Sequence, residues 1–184
     1  MSPWYRSRGK ILEPITDGEF IKGMQEGRFV EAKHKGFVAL LYYSAVRKKE
    51  ALRTTREQFH LFHNKIFFGV GKRLKHGIET PDLNIPLDAP YAKEIWEAVE
   101  ATKSKQRIFP YCDKTGYNIV NRAGFNYPHF FRLSRITNFF LEGWTIAQVH
   151  SWTGLSLKAL DYYVGLVDIK RMGDSLGPKR GKPQ

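Results

Sequence analysis

Pro128-His129-Phe130-Phe131-Arg132 is the stretch of this chain that decides its fold. Proline is well tolerated in the first turn of a helix, so we predict that a helix begins at Pro128. Three positions separate His129 from Arg132, which places the imidazole and the guanidinium one helical turn apart. Gly143 is expected to end the helix. Its predicted buried face carries Phe131, Ile136, Phe139 and Phe140.

Two further helical segments are predicted downstream. Thr145 is expected to start a helix whose apolar residues recur at helical spacing. Residues 155–163 are predicted to form another helical turn or two, ending at the pair Tyr162-Tyr163. This part of the chain therefore supplies an imidazole, a guanidinium and two phenols. An arginine can hold a phosphate, a histidine can move a proton and a tyrosine can attack phosphorus.

Upstream, the pattern predicts helices and one small sheet. Thr16 and Glu19 form the signature of a capping box, so a helix is expected to start there and to end at Gly27. Residues 35–45 read as a buried helix. Two strands joined by a basic turn, a helix capped by Asp88-Ala89-Pro90 and a short helix are then predicted over 65–70, 83–87, 88–99 and 117–123. The predicted fold is mainly α with a small antiparallel β-sheet, in the α+β class.

The composition indicates a folded and strongly basic protein. The chain has 184 residues, 42% of them hydrophobic and 14% aromatic, which is enough for one domain with a real core. Its formal net charge is +12, and a globular chain this basic usually binds a polyanion, most often nucleic acid. The charge alone indicates no chemistry, because basic ribosome-associated proteins share it.

The cysteine content and the apolar runs predict a soluble intracellular protein. The single cysteine, Cys112, excludes an intrachain disulfide and a zinc site with several thiolates. We expect its side chain to be buried or half-buried, in a protein of a reducing compartment. The N-terminus lacks the apolar stretch of a signal peptide, and the longest apolar run, residues 37–46, is too short to span a bilayer.

The order and the spacing of four segments resemble the catalytic domain of the tyrosine recombinases, the phage-type integrases. The resemblance covers roughly residues 14–170. A His-x-x-Arg pattern alone is common, so the resemblance rests on the ordered set. In chain order the segments are 42–52 with Arg47 and Glu50, Gly71-Lys72 in the basic turn, Pro128–Arg132, and 143–163.

The resemblance implies a DNA breaking-rejoining fold and five catalytic residues. The arginines Arg47 and Arg132 would stabilise charge on the phosphate oxygens, since each guanidinium stays charged and forks onto phosphate. Tyr163 would attack and form a covalent 3′-phosphotyrosine. Lys72 would protonate the departing 5′-oxygen, and His129 would assist proton transfer or brace the phosphate. Neither a metal nor another cofactor is implied.

Single residues keep other interpretations. Arg47 lies in a run of charges that, alone, reads as a solvated face, and Glu50 is interpreted as the partner that holds its turn. Lys75 is the alternative acid, and together with Arg73 it is a candidate for binding the DNA backbone. Tyr162 is the alternative nucleophile.

The sequence departs from the family pattern at two places. Leu155 stands where the family has a second histidine, or sometimes a tryptophan. The spacing from there to Tyr163 is one residue short. One phosphate contact or proton transfer therefore has no assigned residue, and His150, one turn upstream, is the candidate substitute.

The implied function is that of a site-specific DNA recombinase or integrase. Its expected partner is double-stranded DNA, bound as a homo-tetramer, with a monomer in solution as the alternative and no membrane partner. It would be DNA-associated, in the nucleoid or in the host cell of a mobile element. The alternatives are a type IB topoisomerase and a catalytically impaired DNA-binding module of the same fold, which Leu155 favours.

We divide the chain into a basic N-terminal arm at 1–13, a catalytic domain at 14–170 and a flexible basic C-terminal tail at 171–184. Most integrases carry a helical core-binding domain ahead of the catalytic domain. The chain is therefore expected to be either an excised catalytic domain or a minimal form.

Overall fold

The computed structural model describes residues 5–7, 10–69 and 83–176, with side chains over 13–69, 83–165 and at 167. The predicted α+β class, mainly helical with a small antiparallel sheet, is confirmed. In chain order the elements are β1 (Tyr5–Ser7), β2 (Lys10–Leu12), α1 (Asp17–Glu26), α2 (Ala32–Ser44), α3 (Lys48–Ala51), a 3₁₀ turn (Arg56–Gln58), β3 (Phe59–Phe62), β4 (Lys65–Phe68), β5 (Leu83–Pro86), α4 (Ala92–Glu100), α5 (Asp113–Arg122), α6 (Pro128–Leu141), α7 (Ile146–Thr153) and α8 (Leu157–Leu176).

The strands form two antiparallel sheets within the described part of the chain. β1 pairs with β2, and β4 lies between β3 and β5. The two strands predicted from the sequence are β4 and β5, whereas β3 was not predicted. Phe59, Phe68 and Leu83 are opposite one another across the three strands and turn the inner face of this sheet to the core. The predicted basic turn between β4 and β5 lies outside the described residues.

Helix α2 is the central element, and its length from 36 to 42 is buried. Its apolar residues surround the helix on all sides, as expected for a helix in the middle of a core. It packs against α4 on one side and against α6 on another. Gly36 allows the closest approach to α4, because a Cβ atom at this position would lie 2.5 Å from the carbonyl oxygen of Glu94.

Local capping signals fix several helix ends where they were predicted. Thr16 and Glu19 form the capping box of α1, and Gly27 ends that helix. Thr145 starts α7 through a second capping box with Gln148, and Pro128 occupies the first turn of α6. In contrast, α4 does not start directly at Pro90. It starts after Tyr91, whose backbone is in the left-handed region at φ 64°.

The last helix is longer than predicted. α8 continues to Leu176, so the boundary placed at residue 170 falls inside a helix and residues 171–176 are helical. Residues 177–184 lie outside the described part. The expected burial of Cys112 is wrong: its side chain is exposed, and the thiol caps the start of α5 by accepting from the backbone N–H of Thr115.

Two buried clusters hold these elements together. The larger one joins α1, α2, α4, α5, the β3–β5 sheet and one side of α6. The smaller one fixes α6, α7 and α8 to one another. It contains Ala45, Ile136, Phe139, Phe140, Val149, Leu160 and Val167. The predicted buried face of α6 is therefore confirmed. In the described residues, no helix combines the length and the apolar character needed to cross a bilayer.

Candidate active site

Arg132 lies inside the protein, with only 2% of its surface exposed. It lies on the second turn of α6, and its guanidinium reaches the ends of two other helices. Nη1 donates to the carbonyl oxygen of Ala45, directly after α2, and Nη2 lies 3.4 Å from the carbonyl oxygen of Thr153, at the end of α7. The last carbonyls of a helix lack partners within it and carry partial negative charge, so they suit a buried cation.

The electrostatic surroundings of Arg132 are mostly unfavourable to its charge. Burial lowers its pKa, and the nearby guanidinium of Arg47 lowers it further. Glu50 and Tyr163 act in the opposite direction. An arginine nevertheless remains protonated in a protein. Arg132 is therefore a fixed positive charge whose neighbourhood would favour an added anion.

Arg47 stands at the surface beside this buried arginine. Its side chain is 54% exposed and it is the residue that precedes α3. Glu50 binds it twice, because one carboxylate oxygen accepts from the Arg47 backbone N–H at 2.8 Å and the other from Nη1 at 2.8 Å. Burial raises the pKa of Glu50, but the bonds from Arg47 and the charge of Arg132 outweigh this effect and lower it. Glu50 thus holds the Arg47 turn, as predicted.

His129 is electrostatically coupled to the same two arginines. It lies in the first turn of α6, where its side chain is exposed. Displacement of water by neighbouring atoms lowers its pKa, and the charges of Arg132 and Arg47 lower it further. These effects keep the imidazole neutral at neutral pH, the state in which it can accept a proton.

Tyr163 is a phenol on which the charges of Arg132 and Arg47 act. Tyr163 is half-buried on α8 and packs against both buried clusters. Burial raises its pKa, whereas Arg132 and Arg47 pull it down, with a net increase. Tyr162 is 48% exposed and contacts the ring of Tyr163 edge-on. The Tyr163 phenol is therefore protonated at neutral pH and needs a base to act as a nucleophile.

The turn from α7 to α8 contains Leu155, the residue at the position of the expected second histidine. Its side chain is half-buried and packs against the smaller cluster, as the side chains of Tyr163 and Trp152 also do. Its carbonyl oxygen lies 2.5 Å from Nδ1 of His150. Leu155 thus contributes packing where the family pattern has a polar side chain.

Four of the five predicted catalytic residues share one electrostatic neighbourhood, since the charges of Arg47 and Arg132 both act on His129 and on Tyr163. The fifth, Lys72, lies outside the described residues, as do Arg73 and Lys75. The carbonyls of Ala45 and Thr153 were not anticipated. Gly154 was the only available signal, because a glycine after a helix marks a C-terminus with free carbonyls.

Among the described side chains, no group of three or more His, Cys, Asp or Glu residues is arranged to hold a metal ion. The site described above contains two guanidinium cations, one imidazole, one phenol and one carboxylate. Such a set has the chemistry to bind an anion and to move protons near it.

Comparison with known proteins relates this arrangement to solved structures. No model of a protein family matches the sequence, and no curated protein sequence matches it. The XerH site-specific recombinase, in a post-cleavage complex with its palindromic difH substrate, matches with a TM-score of 0.61 and 17% identity, over 93% of this chain and 54% of that chain. The XerA recombinase matches with a TM-score of 0.60 and 14% identity, over 92% and 67%.

A phage protein shows the same likeness. The integrase from mycobacterium phage Brujita matches with a TM-score of 0.55 and 13% identity, over 98% of this chain and 63% of that chain. The chain spans little more than half the length of XerH. All three likenesses extend over nearly the whole of this chain and confirm the fold that the sequence resemblance implied. The chain therefore has the fold of the catalytic domain of tyrosine recombinases and phage integrases.

Proposed function

We propose that this protein is a site-specific DNA recombinase or integrase that cuts and rejoins DNA through a 3′-phosphotyrosine on Tyr163, without a metal ion. One observation carries the proposal: a buried arginine, held by two helix ends, is electrostatically coupled to a second arginine, a neutral histidine and a half-buried phenol. These groups match the needs of in-line attack on a phosphodiester.

In the proposed reaction the two guanidinium groups bind the scissile phosphate. Arg132 is aligned before DNA binds, so little reorganisation is needed when charge develops on the non-bridging oxygens. Arg47, anchored by Glu50, approaches from the surface. Among the described residues, Glu50 is the carboxylate that offsets their combined charge, which leaves the site attractive to a phosphodiester anion.

Proton transfer completes the proposed cleavage. The phenol oxygen of Tyr163 attacks phosphorus and gives up its proton, for which the neutral His129 is the candidate acceptor. The P–O bond to the 5′-oxygen breaks, and that oxygen takes a proton from Lys72. Rejoining runs in reverse, with a 5′-hydroxyl attacking the phosphotyrosine and the tyrosine leaving.

The partner proposed for this site is double-stranded DNA. The net charge of +12 supports a polyanion. The two matched XerH structures are complexes of that recombinase with its difH substrate. We propose by analogy that this chain acts on DNA as a tetramer, in a DNA-associated location.

The test is capture of the covalent intermediate. A pool of nicked duplexes of randomised sequence is incubated with the protein. A nick beside the cleaved bond lets the short fragment that ends in the 5′-hydroxyl diffuse away, so the adduct is trapped. Mass spectrometry should find a nucleotide on the peptide that contains Tyr163. Tyr163→Phe should abolish the adduct, and Tyr162→Phe should retain it. An adduct that survives Tyr163→Phe would contradict the assignment.

One observation favours a second candidate, a DNA-binding module of the same fold without activity. Leu155 is engaged in packing where a second histidine is expected, so one phosphate contact is missing from the described site. Under this alternative the protein binds duplex DNA in a salt-sensitive manner and no adduct forms with any member of the nicked pool. Adduct formation would exclude it.

A further inference from the structure

The turn formed by Thr153, Gly154 and Leu155 supplies one of the two carbonyl acceptors of Arg132. Gly154 is in the left-handed region at φ 62°, which ends α7 and directs the chain towards α8. The path of this turn determines where the Thr153 carbonyl points. Any interaction that fixes the turn therefore also fixes one edge of the guanidinium.

Three further hydrogen bonds tie the turn to α7. The Gly154 N–H donates to the carbonyl of His150 at 2.8 Å, the Thr153 hydroxyl donates to the carbonyl of Val149 at 2.7 Å, and the Leu155 N–H donates to the Thr153 hydroxyl at 3.2 Å. The third of these bonds fixes the Leu155 N–H but not its carbonyl oxygen. The three bonds leave the Leu155 carbonyl to be fixed by another group.

His150 fixes that carbonyl. Its Nδ1 lies 2.5 Å from the Leu155 oxygen, and because a carbonyl only accepts, Nδ1 must carry the proton. The bond closes a loop between the last turn of α7 and the residue that leads into α8. The Leu155 side chain, directly attached to this point, packs in the cluster that also contains Tyr163.

We infer that His150 is a positioning residue: its bond to Leu155 holds the turn that aligns Arg132 through Thr153 and seats the helix of Tyr163 through Leu155. His150 does not itself touch the phosphate in this role. The alignment of Arg132 is a property of the protein alone, whereas the consequence for strand cleavage rests on the proposed function.

The first arm of the test needs no activity. In protein labelled with ¹⁵N-arginine, the guanidinium signals of Arg132 are assigned by their loss in Arg132→Lys, and their separation reports slow rotation of a held group. His150→Phe keeps a ring and removes the donor, His150→Ala removes both, and His150→Asn keeps a donor near the position of Nδ1. We expect averaged Arg132 signals in the Phe and Ala variants and separate signals in wild type and His150→Asn.

This arm has two overturning results. Separate Arg132 signals in both His150→Phe and His150→Ala would show that the bond does not hold the guanidinium. Averaged signals in His150→Asn, with an unchanged melting temperature, would show that the ring and not the donor matters. Either result overturns the inference. Failure of one variant to fold leaves the comparison between the other two.

The second arm measures adduct formation on the nicked pool. His150→Phe and His150→Ala should slow the adduct rate on the order of 10-fold, because a remote displacement of about 1 Å can cost up to ~10²-fold. DNA affinity should stay the same, and His150→Asn should recover most of the rate. A rate loss explained entirely by weaker DNA binding would overturn the positioning role. If wild type forms no adduct, the proposed function fails, and the first arm still decides the inference.

Discussion

Arg132 is a buried cation whose two bonded acceptors, among the described residues, are neutral carbonyl oxygens rather than a carboxylate. The carbonyls fix its direction without neutralising its charge. Arg47 adds a second positive charge nearby, and Glu50 is the carboxylate that opposes both. At the scale of single residues, the site therefore carries unbalanced positive charge that an anion would relieve.

Inorganic phosphate should stabilise the folded protein. A ligand that binds only the folded state adds about 1.4 kcal/mol to the free energy of unfolding for each tenfold rise in its concentration above Kd. Arg47→Gln, which removes the exposed charge of the site, should reduce this increment at a given phosphate concentration. Lys22→Gln, the same change on the exposed surface of α1, is the control. Thermal unfolding in phosphate and in chloride of equal ionic strength measures the effect, and equal increments in both variants would contradict it.

Acid should destabilise the protein partly through His129. Displacement of water by neighbouring atoms and the charges of Arg132 and Arg47 hold the pKa of His129 below its ordinary value of 6.5 in the folded state. As pH falls below about 6.5, the unfolded chain takes up a proton that the folded site does not, so the free energy of unfolding decreases until pH reaches the folded-state pKa. Burial lowers the pKa of His34 as well, which adds to the loss in the same window.

His129→Gln should therefore lose less stability than wild type between pH 7.5 and pH 5. The difference is expected to be small, because His129 is exposed and solvent screens its interactions. His63→Gln, on the exposed turn between β3 and β4, is the matched control. Urea unfolding at the two pH values is the measurement. An acid-induced loss that is the same in wild type and His129→Gln would contradict the prediction.

At the scale of elements, α2 and α4 pack closely against each other, and this contact depends on a missing side chain. Gly36→Ala places a Cβ atom against the backbone of α4 at Glu94, where no flexible group can move aside. Overpacking of this kind typically costs about 1–3 kcal/mol.

Gly18→Ala is the matched control on α1. A Cβ atom there meets nothing within 4 Å, so the same substitution should be neutral or stabilise by about 0.4–1 kcal/mol through a less flexible unfolded chain. Chemical denaturation of both variants measures the pair. Equal effects at the two glycines would show that helix propensity and not the α2–α4 contact governs the result.

The elements that could be predicted from sequence are those whose ends are set by local chemistry. The capping boxes at Thr16 and Thr145 use residues three positions apart, and Pro128 starts α6 without any distant partner. β3 was missed because only Phe59 of its four residues is buried, so the strand lacks a readable alternation. The extent of α8 and the exposure of Cys112 were also not predicted.

The candidate site also has some features that could be predicted from the sequence and others that could not. The positions of Arg47, His129, Arg132 and Tyr163 were available from their order in the chain. The acceptors of Arg132 were not, because backbone carbonyls have no sequence signature and Ala45 is 87 positions away. The partial burial of Tyr163 and the exposure of Tyr162 also required the structure, since adjacent helical positions point in different directions and only packing shows which side chain is covered.

At the scale of the whole molecule, we expect the net charge of +12 to dominate the proposed interaction with DNA. Affinity should fall steeply with salt, because each phosphate contact releases counterions and contributes about 0.9 to the slope of log K against log salt. Arg47→Gln should reduce the slope by about 1, and Lys22→Gln should leave it nearly unchanged. Fluorescence anisotropy over a range of salt concentrations is the measurement. An affinity insensitive to ionic strength would contradict electrostatic binding.

The two hydrogen bonds between Glu50 and Arg47 imply opposite effects on DNA affinity and on the orientation of Arg47. A carboxylate beside the proposed phosphate site weakens the binding of nucleic acid, yet it restrains the side chain of Arg47. Glu50→Gln should therefore bind duplex DNA more strongly and form the covalent adduct more slowly. Weaker DNA binding or faster adduct formation in Glu50→Gln would contradict this role of Glu50.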